Sequence, residues 1–254
     1  MNKEELQKMR HSCAHLLAAA VQKMYPDAKF GVGPAVDNGF YYDISLPQTI
    51  SESDLKSIEK TMKKLTNHKL EMVREEMSLD DAVKFFQDKD QDFKVELLKD
   101  LKERGTTKVG EDLSDEVDLE NPDQVSIYHT GEFADLCRGP HVDHIGETGV
   151  FKLIKVAGAY WRGDDSKAQM QRIYGVCFTT KEELSEYQAM IEEAKKRDHR
   201  KIIKDLDLVT FSELVGPGLP LWTPRGTIVR NALNDFVWSL RKQYGYEEVT
   251  IPHI

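Results

Sequence analysis

Two pairs of side chains, far apart in the chain, have types and spacings that fit one chemical task. His11 and His15 stand four residues apart in a stretch of helical periodicity, so both imidazoles leave one helix face about a turn apart and can address the same atom. Cys137 and His141 repeat the four-residue spacing across a turn forced by Gly139-Pro140. Three imidazoles and one thiol are, by ligand type and number, a set that holds zinc tetrahedrally. Either pair alone says little, because buried histidines often only pack. The two together argue for a site.

These pairs need elements to position them. Asn2 caps a helix with Glu4 and Glu5 in its first turn; Leu6, Met9, Cys13, Leu16, Leu17, Ala20, Val21 and Met24 then recur at helical spacing until Pro26. Phe30 to Val32 and Phe40 to Ile44 read as a hairpin-like pair of strands. Ser51 with Asp54 forms a capping box for a helix to about Asn67, followed by a strand over Leu70 to Arg74 and helices from Asp80 and over Phe93 to Arg104. Val125 to Tyr128, Phe151 to Val156 and Arg172 to Phe178 have strand composition. Thr180 and Glu183 open another capped helix, and Thr223-Pro224 begins one that runs to about Tyr244, ahead of a strand over Glu247 to Ile251. Helices and strands mix without regular βαβ alternation, so the expected fold is α+β, an antiparallel sheet covered by helices.

Composition narrows the function classes. With 35 basic and 44 acidic side chains the net charge is −9, which excludes a broadly basic nucleic-acid surface and leaves only local contacts. The acidic stretch between Gly105 and Asp123 reads as a solvated loop without function. Three unevenly spaced cysteines, Cys13, Cys137 and Cys177, argue against a disulfide framework and for a reducing compartment. The longest apolar run, Leu16 to Val21, is far short of a membrane span, and Asn-Lys-Glu-Glu after Met1 fits no secretory leader. The expected location is the cytoplasm, with no membrane partner.

Longer motifs sharpen this. Glu132-Phe-Ala-Asp-Leu-Cys-Arg-Gly-Pro-His-Val142, Lys155-Val-Ala-Gly-Ala-Tyr-Trp-Arg-Gly-Asp164, His11-Ser-Cys-Ala-His15 and Gly39-Phe-Tyr-Tyr-Asp43 together closely resemble the editing domain of the bacterial threonyl-tRNA synthetase family. Lys196-Arg-Asp-His-Arg-Lys201 and Trp222-Thr-Pro-Arg-Gly226 resemble the start of that family's class II catalytic domain, and the final helix and strand resemble its motif 1. The resemblance implies an editing domain over 1–178, a linker helix over 179–197 and the beginning of a catalytic domain over 198–254.

Its functional implication is post-transfer editing, the hydrolysis of seryl-tRNA(Thr) by water. Serine lacks one methyl of threonine, a difference worth only about 1–3 kcal/mol in binding, so a second, hydrolytic sieve is needed. By resemblance His11, His15, Cys137 and His141 form the pocket. Lys94, Asp135 and Tyr42 complete it: His11 would act on water, Lys94 would bring positive charge to the oxyanion, and Asp135 and Tyr42 would hold the substrate. The threonyl type implies no required metal, while the spacing keeps zinc on the same four residues as the alternative. The basic stretch around Lys196, Arg200 and Lys201 is the candidate contact for the tRNA acceptor end. The apolar face of Ile228, Ala232, Phe236 and Leu240 implies a homodimer through motif 1 or docking onto the editing domain. ATP and zinc sites of a full synthetase lie outside these residues, so no aminoacylation is expected. A non-catalytic module that grips the acceptor end or another protein is the competing class.

Overall fold

The structure, a computed structural model, describes residues 1–105, 124–216 and 218–250. Most of the acidic stretch at 105–123, Pro217 and Ile251 therefore lie outside the described residues. The chain divides into two compact units, Met1–Glu186 and Tyr187–Ile254.

The first unit opens with α1 (Lys3–Met24), closed at its N-terminus by the capping box of Asn2 and Glu5. Small β1 (Lys29–Phe30) and β2 (Ala35–Val36) flank β3 (Gly39–Ser45), and both pair antiparallel with it. There follow α2 (Glu52–Asn67), β4 (Met72–Ser78), α3 (Leu79–Asp88), α4 (Asp92–Arg104), β5 (Gln124–Thr130), β6 (Phe133–Leu136), and the long hairpin of β7 (Val150–Tyr160) and β8 (Gln169–Phe178). They form two antiparallel sheets: β1-β3-β8-β7 with β2 also on β3, and β4-β5-β6. The α+β architecture read from the sequence is present, with two sheets in place of one.

Each sheet carries its own apolar core. Leu16, Leu17, Phe30, Phe40, Ile44, Ile58, Met62, Phe151 and Ile173 join α1 and α2 to the larger sheet. Phe86, Leu98, Leu101, Ile127 and Leu136 join α3 and α4 to the smaller one. Each such side chain removed from water contributes about 1.5–3 kcal/mol. α1 is buried without interruption from Ser12 to Val21, as befits a helix with layers on more than one side.

Three expectations change. The strand placed at Leu70 to Arg74 runs instead from Met72 to Ser78. It is an edge strand whose exposed Arg74, Glu75 and Glu76 carry no apolar signal, and such charges keep an edge from pairing further. β6 is a strand that the sequence does not signal: all four of its residues are buried, so it lacks the polar alternation by which a strand is read. Residues 247–250 form no strand, for among the described residues no partner strand accepts their backbone groups.

The second unit holds the end of α5 (Lys181–Lys196), α6 (His199–Asp205), the antiparallel pair β9 (Val209–Thr210) and β10 (Leu221–Trp222), and α7 (Pro224–Lys242), capped by Thr223 with proline at its start. On α7, Ile228, Leu233, Phe236 and Leu240 are exposed. No helix among the described residues is long and apolar enough to cross a membrane.

β3 presents a residue to the site, and its seat in the sheet is tight. A Cβ on Gly39 would fall 2.1 Å from the Gly175 carbonyl oxygen and 2.9 Å from Val176 Cα, both backbone atoms that cannot step aside. Gly39→Ala is expected to destabilise the first unit by about 1–3 kcal/mol. The check is the urea midpoint; an unchanged midpoint would show that the β3–β8 pair has room for a side chain there.

Candidate functional site

The four residues of the two spaced pairs converge. His11 and His15 point from α1, Cys137 follows the end of β6, and His141 lies just past the Gly139-Pro140 turn; their ligand atoms all lie within 4.8 Å of one another. Gly139 is left-handed at φ 74°, and a Cβ there would strike the Tyr128 hydroxyl at 2.4 Å, so the turn requires glycine. That close approach lays the Tyr128 ring 4.4 Å from the His141 ring.

The hydrogen bonds fix how these groups face. Ser12 Oγ donates to the Lys8 carbonyl (2.8 Å) and accepts from the Val142 N–H (3.0 Å). Its one proton is thereby used, so at the 3.2 Å contact with His141 Nδ1 the imidazole donates. Neutral His141 then has a lone pair on Nε2, which faces Cys137 Sγ at 3.2 Å. His11 Nε2 approaches the same sulfur at 3.4 Å, and the Gly139 N–H donates to it at 3.2 Å. The sulfur is the hub of the cluster.

Beneath the cluster lies a buried ionic group. β6 alternates: Ala134 and Leu136 enter the core of α3 and α4, while Phe133 joins the α1 core and Asp135, two residues on, reaches the site. Asp135 forms an ion pair with Lys94 of α4, accepts from the Tyr42 hydroxyl, and meets His15 Nε2 at 3.3 Å. Lys94 also donates to the Gly31 carbonyl at 2.6 Å and contacts the Tyr42 hydroxyl at 3.4 Å, so its three protons have three acceptors. His15 Nδ1, in contrast, is buried with no hydrogen-bond partner.

Burial keeps all three imidazoles neutral at neutral pH. It lowers His11 from 6.5 to about 4, although the Asp135 carboxylate and the Pro140 carbonyl favour its charged form. His15 is pushed well below its ordinary value by burial, then by His11 and Lys94. His141 is pushed down by burial and by His15, His11 and Lys8. Burial and the neighbouring Asp135 charge push the Tyr42 phenol up, so it remains a donor. His11 alone of the four metal-type ligands is half-buried; the others are buried.

The structure thus brings His11, His15, Tyr42, Lys94, Asp135, Cys137 and His141 into one cluster. Lys196 pairs with Glu193, Arg200 pairs with Asp198, and Lys201 is exposed; all three belong to the second unit. Ser12 and the Gly31 carbonyl were not singled out by spacing. A small polar residue within an uninterrupted apolar helix face was the available signal for Ser12; a backbone carbonyl leaves none.

Residues 125–174 match the family described as Threonyl and Alanyl tRNA synthetase second additional domain. The threonine--tRNA ligase of Porphyromonas gingivalis is 47% identical over 246 residues, 96% of this chain and 35% of that protein. That of Thermosynechococcus vestitus is 45% identical over 254 residues, covering 99% and 39%, and threonine--tRNA ligase 1 of Bacillus subtilis is 45% identical over 251 residues, covering 99% and 36%. The chain spans about a third of the length of these curated relatives. Along nearly its whole length the chain is similar to threonine--tRNA ligases, and the match at residues 125–174 is to a domain described for the threonyl and alanyl enzymes.

Proposed function

We propose that the site hydrolyses the ester of seryl-tRNA(Thr), post-transfer editing. The observation that carries this reading is the convergence of His11, His15, Cys137 and His141 above the buried Lys94–Asp135 pair, in a chain with the second additional domain of threonyl and alanyl synthetases. An aminoacyl ester needs an oriented water, a proton acceptor and positive charge near the developing oxyanion. His11, the reachable imidazole, is neutral and can hold a water; with a value near 4 it is a weak base and acts mainly by orientation. Lys94 supplies the positive charge, Asp135 and Tyr42 hold the serine amine or hydroxyl, and Cys137 and His141 form a wall that excludes the extra methyl of threonine. Under the same reading residues 1–178 are the editing domain, 179–197 a linker and 198–254 the start of a class II catalytic domain. Lys196, Arg200 and Lys201 then contact the acceptor strand, α7 offers a homodimer face, and the protein works in the cytoplasm.

The donor set also supports a second reading in which zinc occupies the pocket. The sulfur–nitrogen separations of 3.2 and 3.4 Å are close to the ~3.5 Å edge of a tetrahedron with bonds of about 2.0–2.3 Å, and His15 Nδ1 has no other partner. A bound zinc would act as a Lewis acid on water or carbonyl.

Three experiments follow from these arrangements. Deacylation of seryl-tRNA(Thr), run beside threonyl-tRNA(Thr), should be selective for the serine ester. His11→Ala should slow it by about 10²-fold, the effect of a lost orientation, and Lys94→Met by about 10²–10³-fold. Tight tRNA binding without turnover would favour the non-catalytic module. Metal analysis of protein purified with and without added zinc, together with deacylation after chelation, separates the two pocket chemistries: activity that survives chelation excludes a required metal. Finally, all three imidazoles bind protons less readily folded than unfolded, so stability should be full above about 6.5 and fall as the pH drops from there toward about 4. Urea midpoints across that window test it, and His11→Asn should flatten the slope.

A further inference from the structure

The turn Tyr160-Trp161-Arg162-Gly163-Asp164 joins β7 to β8 and supplies no group to the pocket. Its backbone is unusual: Arg162 is left-handed at φ 58°, ψ 25°, and Gly163 follows at φ 70°. A non-glycine residue persists there only where its surroundings hold it. Those surroundings are α4. The Arg162 side chain, 5% exposed, is ion-paired to Asp100, with its Nε 3.6 Å from Glu96. Trp161 donates its indole N–H to Glu96 at 2.9 Å and lies 4.8 Å from the Phe93 ring. Lys167 reaches Glu96 at 3.2 Å. Phe93, Glu96 and Asp100 are spaced by three and four residues, which makes them one stripe along α4.

Lys94 sits on the same turn of α4 as this stripe, and its ammonium is moored to Asp135 and to the Gly31 carbonyl. The turn touches that second mooring as well: a Cβ on Gly31 would lie 3.1 Å from Trp161 Cζ3. Arg162 therefore bears on the helix that carries Lys94, and Trp161 on both that helix and the residue whose carbonyl receives the ammonium.

We propose that Arg162 is a positioning residue for the Lys94 ammonium, its guanidinium joining Asp100 and Glu96 of α4 while Trp161 wedges between α4 and Gly31, so that the β7–β8 turn sets where the ammonium stands in the pocket. The planar fork suits this task because its donors are held in fixed directions toward the two carboxylates, where a lysine ammonium turns freely on its stem. Burial pushes the Asp100 carboxyl up, but Arg104 and Arg162 outweigh it and hold it below its ordinary value, so the partner of Arg162 is charged. In its catalytic consequence the assignment rests on the proposed hydrolysis of seryl-tRNA.

The test combines kinetics with a signal that does not need activity. In the full chain, Arg162→Met should lower kcat for seryl-tRNA(Thr) hydrolysis about tenfold to a hundredfold with KM unchanged, the effect of a misplaced group. Arg162→Lys should recover part of it, and the double variant Lys94→Met/Arg162→Met should be no slower than Lys94→Met, because Arg162 acts only through Lys94. In protein labelled with ¹⁵N-lysine, the Lys94 ammonium correlation, assigned by its loss in Lys94→Met, should shift or broaden in Arg162→Met. Should that variant not fold, Trp161→Phe, which removes the indole N–H to Glu96 and part of the ring beside Gly31, is read in the same way. Additive losses in the double variant, or an unmoved Lys94 signal, would overturn the assignment. If the wild-type chain hydrolyses no seryl-tRNA, the functional reading fails by itself, and the Lys94 signal alone decides the positioning role.

Discussion

A lysine and an aspartate each only 2% exposed can both be charged only because they are charged together. Removing two ions from water costs several kcal/mol apiece, and attraction offsets this only where the remaining donors and acceptors are also satisfied. Lys94 and Asp135 meet that condition through the Gly31 carbonyl, the Tyr42 hydroxyl and His15. The four partners come from α4, β6, β3 and α1, with the Gly31 loop as a fifth contributor. The ionic pair therefore dictates how the two cores of the first unit meet. Loss of either partner would leave a buried charge uncompensated, at a typical cost of about 3–5 kcal/mol.

Above this pair the pocket is uncharged. Burial strips protons from the imidazoles and leaves lone pairs next to a sulfur, while the ionic group below fixes a strong local field. A neutral layer over a charged floor separates two tasks. The floor orients and polarises, and the layer accepts hydrogen bonds from whatever enters. In a medium from which water is largely excluded, both act more strongly than they would at the surface.

The sequence was legible where local rules and tertiary demand agree. α1 declared itself through Asn2, Glu5 and its apolar period; the caps at Ser51 and Thr223 did likewise. The pairing of His11 with His15 followed from helix geometry, and the turn at Gly139 from its residue types. Lys94 and Asp135 were different: one charged residue on a charged helix and one acidic residue among many give no spacing signal, and only the resemblance carried them. β6 was hidden because a fully buried strand loses its alternation, and β4 was displaced because a charged edge imitates a loop. Arg162 lay in plain view inside a recognisable motif, but its purpose depends on which helix lies against the turn.

The interleaving of α1 with the turn after β6 has a temporal consequence. His11 and Cys137 touch across 126 residues of sequence, and Ser12 and His141 across 129. On a ribosome α1, half of its residues apolar, must wait until the strand and turn that cover its imidazoles have been made. Loop closure over such a separation is slow relative to local helix formation. The pocket is consequently among the latest features of its unit to assemble, and any chemistry it performs belongs to a completed domain rather than to a growing chain.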